Sequence, residues 1–560
     1  MSKENGSKRS ITKLAVILIG LLIVTALGYF AYNYLSHSRY AVPDKYPTIQ
    51  AAIDAASDGA VIVVAPGVYY ERIDFLGKNI TIRSTKPEDH EVVAATIIDG
   101  RRRGSVVTFQ NGESSKAVLQ GFTITGGVGT ELAITQEYQD EVSINEGYYG
   151  GGILIKGGSS PTIINNSIRN NQADLDGGGI AVQENSGPLI KNNTFEDNRA
   201  FNGGGITVWK SSPVIEGNSF KGNTANYLGG AILVDFESSP LIKGNFIEAN
   251  SSTSGGGIAV WFADPLIEEN EIMRNAAIWY GGGIALFDAN ATIDGNNVAR
   301  NSADNNGGGV AVAEGSSATI TNNIISKNFT NENGGGIAVV EGSYAVINDN
   351  AIEENAVFFG GGGVYLDRSS ADLDRNNITG NVVQQDGGGV ALMNGAEANI
   401  NNSLIDGNGA GRAGGGMVLG EGSSATIIDS TIAGNLASTG GAMIVLRSNL
   451  KMERCFILEN TASSGSGGGI LLVVLSVSEI IDTIFNSNVA FEFGGGLVAF
   501  EDSKVTLRRN DFTANVAQIG GAFIGFGDAS IDLSDPDDNS YQGNVPEDTA
   551  ADSEEDESEE

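Results

Sequence analysis

Histidine is almost missing from this 560-residue chain: His37 and His90 are the only two. Two imidazoles argue against a His-built metal centre or a Ser-His-Asp triad. A single cysteine, Cys455, excludes an intrachain disulfide framework. Proline is scarce, at 11 residues. Positive charge is scarce too, with 33 Lys and Arg against 68 Asp and Glu and a net charge of −35. Such a chain repels polyphosphate, so nucleic acid is excluded as a partner. About a quarter of that charge sits in the terminal stretch 546–560, which is expected to be a disordered acidic tail. The remainder is strongly acidic in its own right. Solubility accounts for that better than a dedicated cation-binding role.

What is present is glycine, 78 residues of it, with 41% hydrophobic residues. That apolar content supports a large core and separates the chain from collagen-like and disordered sequences. The glycines are periodic. Gly-Gly-Gly or Gly-Gly-Ala followed by an apolar residue recurs fifteen times, at Ile153, Ile180, Ile206, Ile232, Ile258, Ile284, Val310, Ile337, Val364, Val390, Met417, Met443, Ile470, Leu497 and Phe523. Every step between them is 26 or 27 residues. A strict period over most of a chain marks a solenoid.

One unit shows what the repeat builds. Gly255-Gly256-Gly257 is a turn, Ile258 to Trp261 an alternating strand, Pro265-Leu266-Ile267 a second strand, and Glu271-Ile272-Met273 a third between two corner asparagines, Asn270 and Asn275. Three strands and three turns leave no room for a helix. The expected fold is therefore all-β, a right-handed parallel β-helix of seventeen to nineteen coils, with handedness set by the usual chirality of parallel connections. The second corner is asparagine in all fifteen coils: Asn171, Asn198, Asn223, Asn250, Asn275, Asn301, Asn328, Asn355, Asn381, Asn408, Asn435, Asn460, Asn488, Asn515 and Asn544. Stacked at about 4.8 Å, each amide can donate to the next carbonyl, and asparagine tolerates left-handed corners. The first corner is looser, becoming Ser403, Ser430, Cys455 and Thr483, so Cys455 reads as a small ladder substitute rather than a reactive thiol.

The N-terminus adds a membrane call. Residues 1–13 form a basic head with Lys3, Lys8, Arg9 and Lys13, and residues 14–35 are uncharged, mostly apolar and long enough to span a bilayer. Positive-inside bias keeps the head cytoplasmic and sends the rest of the chain outward, to the periplasm or cell surface, as a single-pass protein. An uncleaved anchor is favoured over a signal peptide cleaved near Ala26-Leu27-Gly28, because the apolar run continues past that site. Residues 43–127 are expected to hold a helical cap, Thr48 to Ala56, and the first coils; 128–149 a lateral loop; 150–545 the regular coils.

Gly229-Gly230-Ala231-Ile232 and Phe220-Lys221-Gly222-Asn223 resemble the repeats of the right-handed β-helix (pectin-lyase-like) superfamily, and those of chlamydial polymorphic outer-membrane proteins. Tyr46-Pro47-Thr48-Ile49-Gln50-Ala51-Ala52-Ile53 and Ala65-Pro66-Gly67-Val68-Tyr69 are similar to the opening of pectinesterase-like and NosD-like β-helix domains. The resemblance spans about residues 43 to 545 and implies the fold. For function it implies either an adhesin-like surface protein or a polysaccharide lyase or hydrolase.

The catalytic motifs of the enzymatic relatives are missing: no His-Gly with Arg-x-Lys, no Trp-Ile-Asp-His, no Gln-Asp-Thr with Gly-Arg-Pro-Trp. A lyase using one Lys or Arg with Ca²⁺ leaves no linear motif and stays open. No cofactor is expected; Asp535, Asp537 and Asn539 have a Ca²⁺-loop spacing but lack its glycine and glutamate, which favours a cap turn. Arg274, Arg300 and Lys327 precede the corner asparagine in successive coils, and Glu248 and Glu354 point to charge neutralisation between rungs. Trp209, Asp235, Trp261 and Phe287 fall in one column, three residues past the repeat's apolar residue. If Ile258 and Val260 face inward, Trp261 faces outward, so the column is either a sugar-stacking platform or a surface covered locally, for example by the 128–149 segment. Ala259, Ala285, Ala311 and Ala338 then leave a smooth wall rather than a deep pocket. A membrane-anchored, non-catalytic module that binds glycans or surface partners is the favoured reading, with the lyase or hydrolase as its competitor.

Overall fold

Each repeat closes one turn of a right-handed parallel β-solenoid of about seventeen turns in the computed structural model, which describes residues 39–138, 141–533 and 538–546. The segments 1–13 and 14–35, the tail from 547 onward, and Asp535 and Asp537 lie outside the described residues. Among the described residues no helix is long and apolar enough to cross a membrane.

In the coil read above, Ile258–Trp261 belongs to a wall that follows the glycine turn, Leu266–Glu268 to a second wall, and Glu271–Met273 to a third. A fourth piece that the sequence did not disclose, the two-residue strand Ala276–Ala277, forms a ledge after the second corner. Like residues stack on like: Ile232, Ile258 and Ile284 are direct partners in the glycine wall. Among the described residues the second wall has nineteen strands and the ledge twelve. Ile258, Val260, Ile267 and Ile272 are fully buried inside the coil. Phenylalanines stack there face to face, with Phe195 and Phe220 centroids 4.5 Å apart.

Both corners carry ladders. Asn328 shows the full pattern: its Nδ2 donates to Asn355 Oδ1 at 3.0 Å and to Val298 O at 2.9 Å, while its Oδ1 accepts from the backbone N and Nδ2 of Asn301. The amide thus uses both hydrogens and both lone pairs, which is what a fully buried amide needs. The first corner runs from Asn166 to Asn376, passes through Ser403 and Ser430, and resumes at Asn510. Cys455 lies in that column, its Sγ donating to Ile427 O and Glu453 O, with burial pushing the thiol up to about 11. Asn539 is a rung there too, accepting from Asn510 N at 2.8 Å, rather than a cation ligand.

The left-handed backbone falls on the residue before each ladder asparagine, not on the asparagine: Arg274 (φ 56), Arg300 (φ 57) and Lys327 (φ 56). Those side chains are therefore thrown outward. Lys327 pairs with Glu354 at 3.4 Å and Arg274 pairs with Glu248, which stands one position earlier than the equivalent residue, Ala249.

The N-terminal end starts earlier than expected, because Tyr40–Val42 already pairs with Ile62–Val64. Helix α1 (Ile49–Ala55) is capped by Thr48, whose hydroxyl accepts from Ala51 N at 3.1 Å; Glu71 also accepts from the backbone N–H groups of Ile49 and Gln50. Ile49, Ala52 and Ile53 are buried against the first strands. A second helix, α2 (His90–Ala95), begins at Asp89 and was not anticipated. The 128–149 segment, expected as a lateral loop, holds an antiparallel hairpin of Thr130–Tyr138 and Glu141–Tyr149.

Candidate functional site

The outward face of the glycine wall is covered from one side by the chain that leads into each glycine turn. Gly281 takes φ +61, open to glycine at little cost. A Cβ on Gly282 would meet Ser302 O at 2.4 Å and Gly308 O at 2.5 Å. This tight reversal lays Leu228, Ser254, Tyr280 and Asn306 beside one another as a parallel track. Beneath and beside it a second apolar layer forms, with Leu228, Leu233, Ala259, Ala285, Phe287, Ala313, Ala338 and Val340 buried and Trp261, Tyr280 and Tyr365 packed on them. The expectation of a smooth exposed wall is corrected here: Ala259, Ala285, Ala311 and Ala338 are fully buried, and they are small because the track lies against that face.

The predicted column is in register, Trp209 opposite Asp235, Asp235 opposite Trp261, and Trp261 opposite Phe287. It is not evenly exposed. Trp209 and Trp261 are half-buried, while Asp235 and Phe287 are 9% and 6% exposed. Trp261 and Phe287 meet in one cavity of about 240 Å³, lined also by Tyr227, Leu228, Thr253, Ser254, Trp279, Tyr280 and Glu314. Trp279 is 52% exposed at its rim, and the Tyr280 ring stands edge-on to Phe287 at 5.7 Å. Trp209 lies outside the cavity, with the Lys210 ammonium 5.0 Å from its ring centroid.

One carboxylate, Glu314, lines the cavity. Asp288, Glu314 and Glu341 occupy the same turn in three successive coils. Partial burial, then Glu341 and Asp288, raise the Glu314 carboxyl. Tyr280 donates to Glu341 Oε1 at 3.1 Å, and burial followed by the charges of Glu341, Glu314 and Glu332 pushes its phenol up to about 12. No lysine, arginine or histidine is among the described residues lining the cavity. Aromatic rings beside a carboxylate can hold a ligand with apolar C–H faces and hydroxyl donors; an anionic sugar finds no counter-charge there.

The column continues past the four predicted residues. Gln183, three residues beyond Ile180, follows the pair Val182–Val208 and so adjoins Trp209. Gln183 is fully buried and neither amide atom has a hydrogen-bond partner; Asp235 Oδ1 has none either. Burial raises the Asp235 carboxyl to about 8, with Asp176 adding to the rise; Asp176, raised by burial to about 6, accepts from Asn202 Nδ2 at 3.0 Å. Sequence reasoning missed Gln183, Trp279, Tyr280 and Glu314. Counting the same column back one coil would have found Gln183, and Trp279-Tyr280 directly precede a glycine triplet. A separate polar cavity of about 610 Å³, between α2 and the third wall, holds His90, Arg169, Glu88 and Glu196 and shares nothing with the column. Among the described residues no group of three or more His, Cys, Asp or Glu could hold a metal ion.

A family model described as the right-handed β-helix region matches residues 103–272, 151–325, 256–418, 356–512 and 415–551 in overlapping segments. No curated protein matches the chain. Among solved structures, the chain is similar to the PL6 family alginate lyase AlyGC at 11% identity, over 88% of this chain and 98% of that one, with a TM-score of 0.18. It is also similar to the receptor-binding tailspike protein of bacteriophage Det7, at 11% identity over 81% of this chain and 75% of that one, again with a TM-score of 0.18. The stacked parallel walls and a family model running from residue 103 to 551 identify the chain as a member of the right-handed β-helix family.

Proposed function

We propose that this protein is a non-catalytic, glycan-binding β-helix held at a membrane by residues 14–35, with the rod displayed outside and α1 closing its N-terminal end. The observation that carries the reading is the aromatic cavity formed by Trp261, Trp279, Tyr280 and Phe287 with Glu314 at its edge. Rings stack on the apolar faces of pyranoses, and the Glu314 carboxylate accepts from hydroxyls. That carboxylate favours neutral sugars over uronates. The competing lyase or hydrolase needs an acid and a base poised on one bond, and the cavity lining offers a single carboxylate.

A glycan array with the purified full-length chain, run with and without Ca²⁺ and alongside an assay for unsaturated sugar products, tests the proposal. Binding of neutral glycans that is lost in Trp261→Ala and Trp279→Ala, without product, supports it. Steady product formation replaces the module with an enzyme.

A further inference from the structure

On the outer wall a glutamine with no hydrogen-bond partner and an aspartate with one unpaired oxygen are buried, and they flank one tryptophan. Gln183 is 0% exposed with both amide atoms unpaired, and Asp235 is 9% exposed with Oδ1 unpaired. Both belong to the column of Trp209, one coil before it and one coil after it. An unpaired buried amide or carboxyl is costly and is kept where something else satisfies it. Gln183 offers a donor and an acceptor, Asp235 an acceptor, and Trp209 a half-buried ring between them. That is the chemistry of one sugar ring with hydroxyls on both sides.

The column also sets a distance. Trp209 and Trp261 are two coils apart, about 10 Å at a rise of about 4.8 Å per coil. An extended β-1,4-linked pyranose ribbon repeats every two residues over nearly that length, so alternate rings present the same face to the two indoles. An α-1,4-linked chain coils and cannot keep that register. We infer that Gln183, Trp209 and Asp235 form a second sugar-binding station, two coils from the aromatic cavity, so that the wall selects neutral glycans with an extended two-residue repeat. This rests on the glycan-binding reading of the cavity. Lys210, whose ammonium lies over Trp209 and 5.2 Å from the Phe236 ring centroid, moves aside as the ring binds; its ion pair with exposed Glu237, at 3.9 Å, is weak.

The test is a calorimetric titration of the full-length chain with β-1,4-linked glucose oligosaccharides from disaccharide to hexasaccharide, and with α-1,4-linked ones of equal length. The station predicts that affinity for the β-linked series rises by about tenfold or more once the chain is long enough to reach both indoles. Gln183→Leu should abolish that step, leave the disaccharide unaffected and not lower the melting temperature, since it removes unpaired polar atoms. Asp235→Asn should weaken the step while the fold is retained. Equal affinity for short and long β-linked chains, a step that survives Gln183→Leu, or an equal step with α-linked chains would overturn the station while leaving the cavity reading intact. Absence of binding to every saccharide would overturn both.

Discussion

At the residue scale the rod depends on amides that spend every hydrogen-bonding valence. Asn328→Leu strands two donors of Asn301 and the carbonyl of Val298, and the expected loss is about 1–3 kcal/mol for each group left unpaired. The neighbouring Lys327 points outward, and Lys327→Ala should change stability by less than about 0.5 kcal/mol. Thermal unfolding of the two variants checks this; equal shifts would contradict the ladder. Asp235 supplies a pH signature. Its carboxyl lies at about 8 in the folded chain against 3.8 when free, with Asp176, itself raised to about 6, as the nearby charge. The folded state holds protons that the unfolded state has released, so this contribution is fully present below about pH 4 and is lost as pH rises through 8. Melting temperature should therefore fall between pH 4 and 8, and Asp235→Asn should flatten most of that slope. A slope unchanged in the variant would contradict the burial of that carboxyl.

At the element scale, glycine position decides which substitutions the turn accepts. Gly282→Ala drives a methyl into two backbone carbonyls and should cost about 3 kcal/mol. Gly409→Ala, on the ledge with open space around it and no left-handed φ, should be neutral or slightly stabilising. Melting curves separate the two, and similar effects would contradict the covered wall. The period made the walls legible in the sequence, because a strict 26- or 27-residue step fixes which residues stack. The corner geometry was legible only in part: the asparagine column stood out, but the left-handed residue beside it varies among Gly, Ala, Ser, Asn, Asp, Glu, Lys and Arg and leaves no pattern. The site was less legible still. Trp261 and Phe287 share a column, whereas Tyr280 and Glu314 reach the cavity from the glycine track and from a turn in later coils, at unrelated sequence spacings. The ledge and α2 were missed because a two-residue strand and a six-residue helix are too short to show periodicity.

At the scale of the whole molecule, about seventeen turns at about 4.8 Å give a rod on the order of 80 Å. The full chain's net charge of −35 keeps it apart from polyanions. If residues 14–35 anchor it with the basic head inside, protease added to intact cells or spheroplasts should release the rod and leave the anchor; complete protection of the rod would contradict that topology. The central claim is that the outer face of the glycine wall binds glycan, and the chain carries its own reporter, since its only three tryptophans are Trp209, Trp261 and Trp279. The most direct measurement is a tryptophan-fluorescence titration of the full-length chain with neutral β-1,4-linked oligosaccharide, with acrylamide quenching before and after saturation. The account predicts a saturable emission shift with protection from the quencher, reduced in Trp261→Ala and Trp279→Ala. Saturable glycan binding that leaves emission and quenching unchanged, or no saturable change with any neutral glycan, would contradict it.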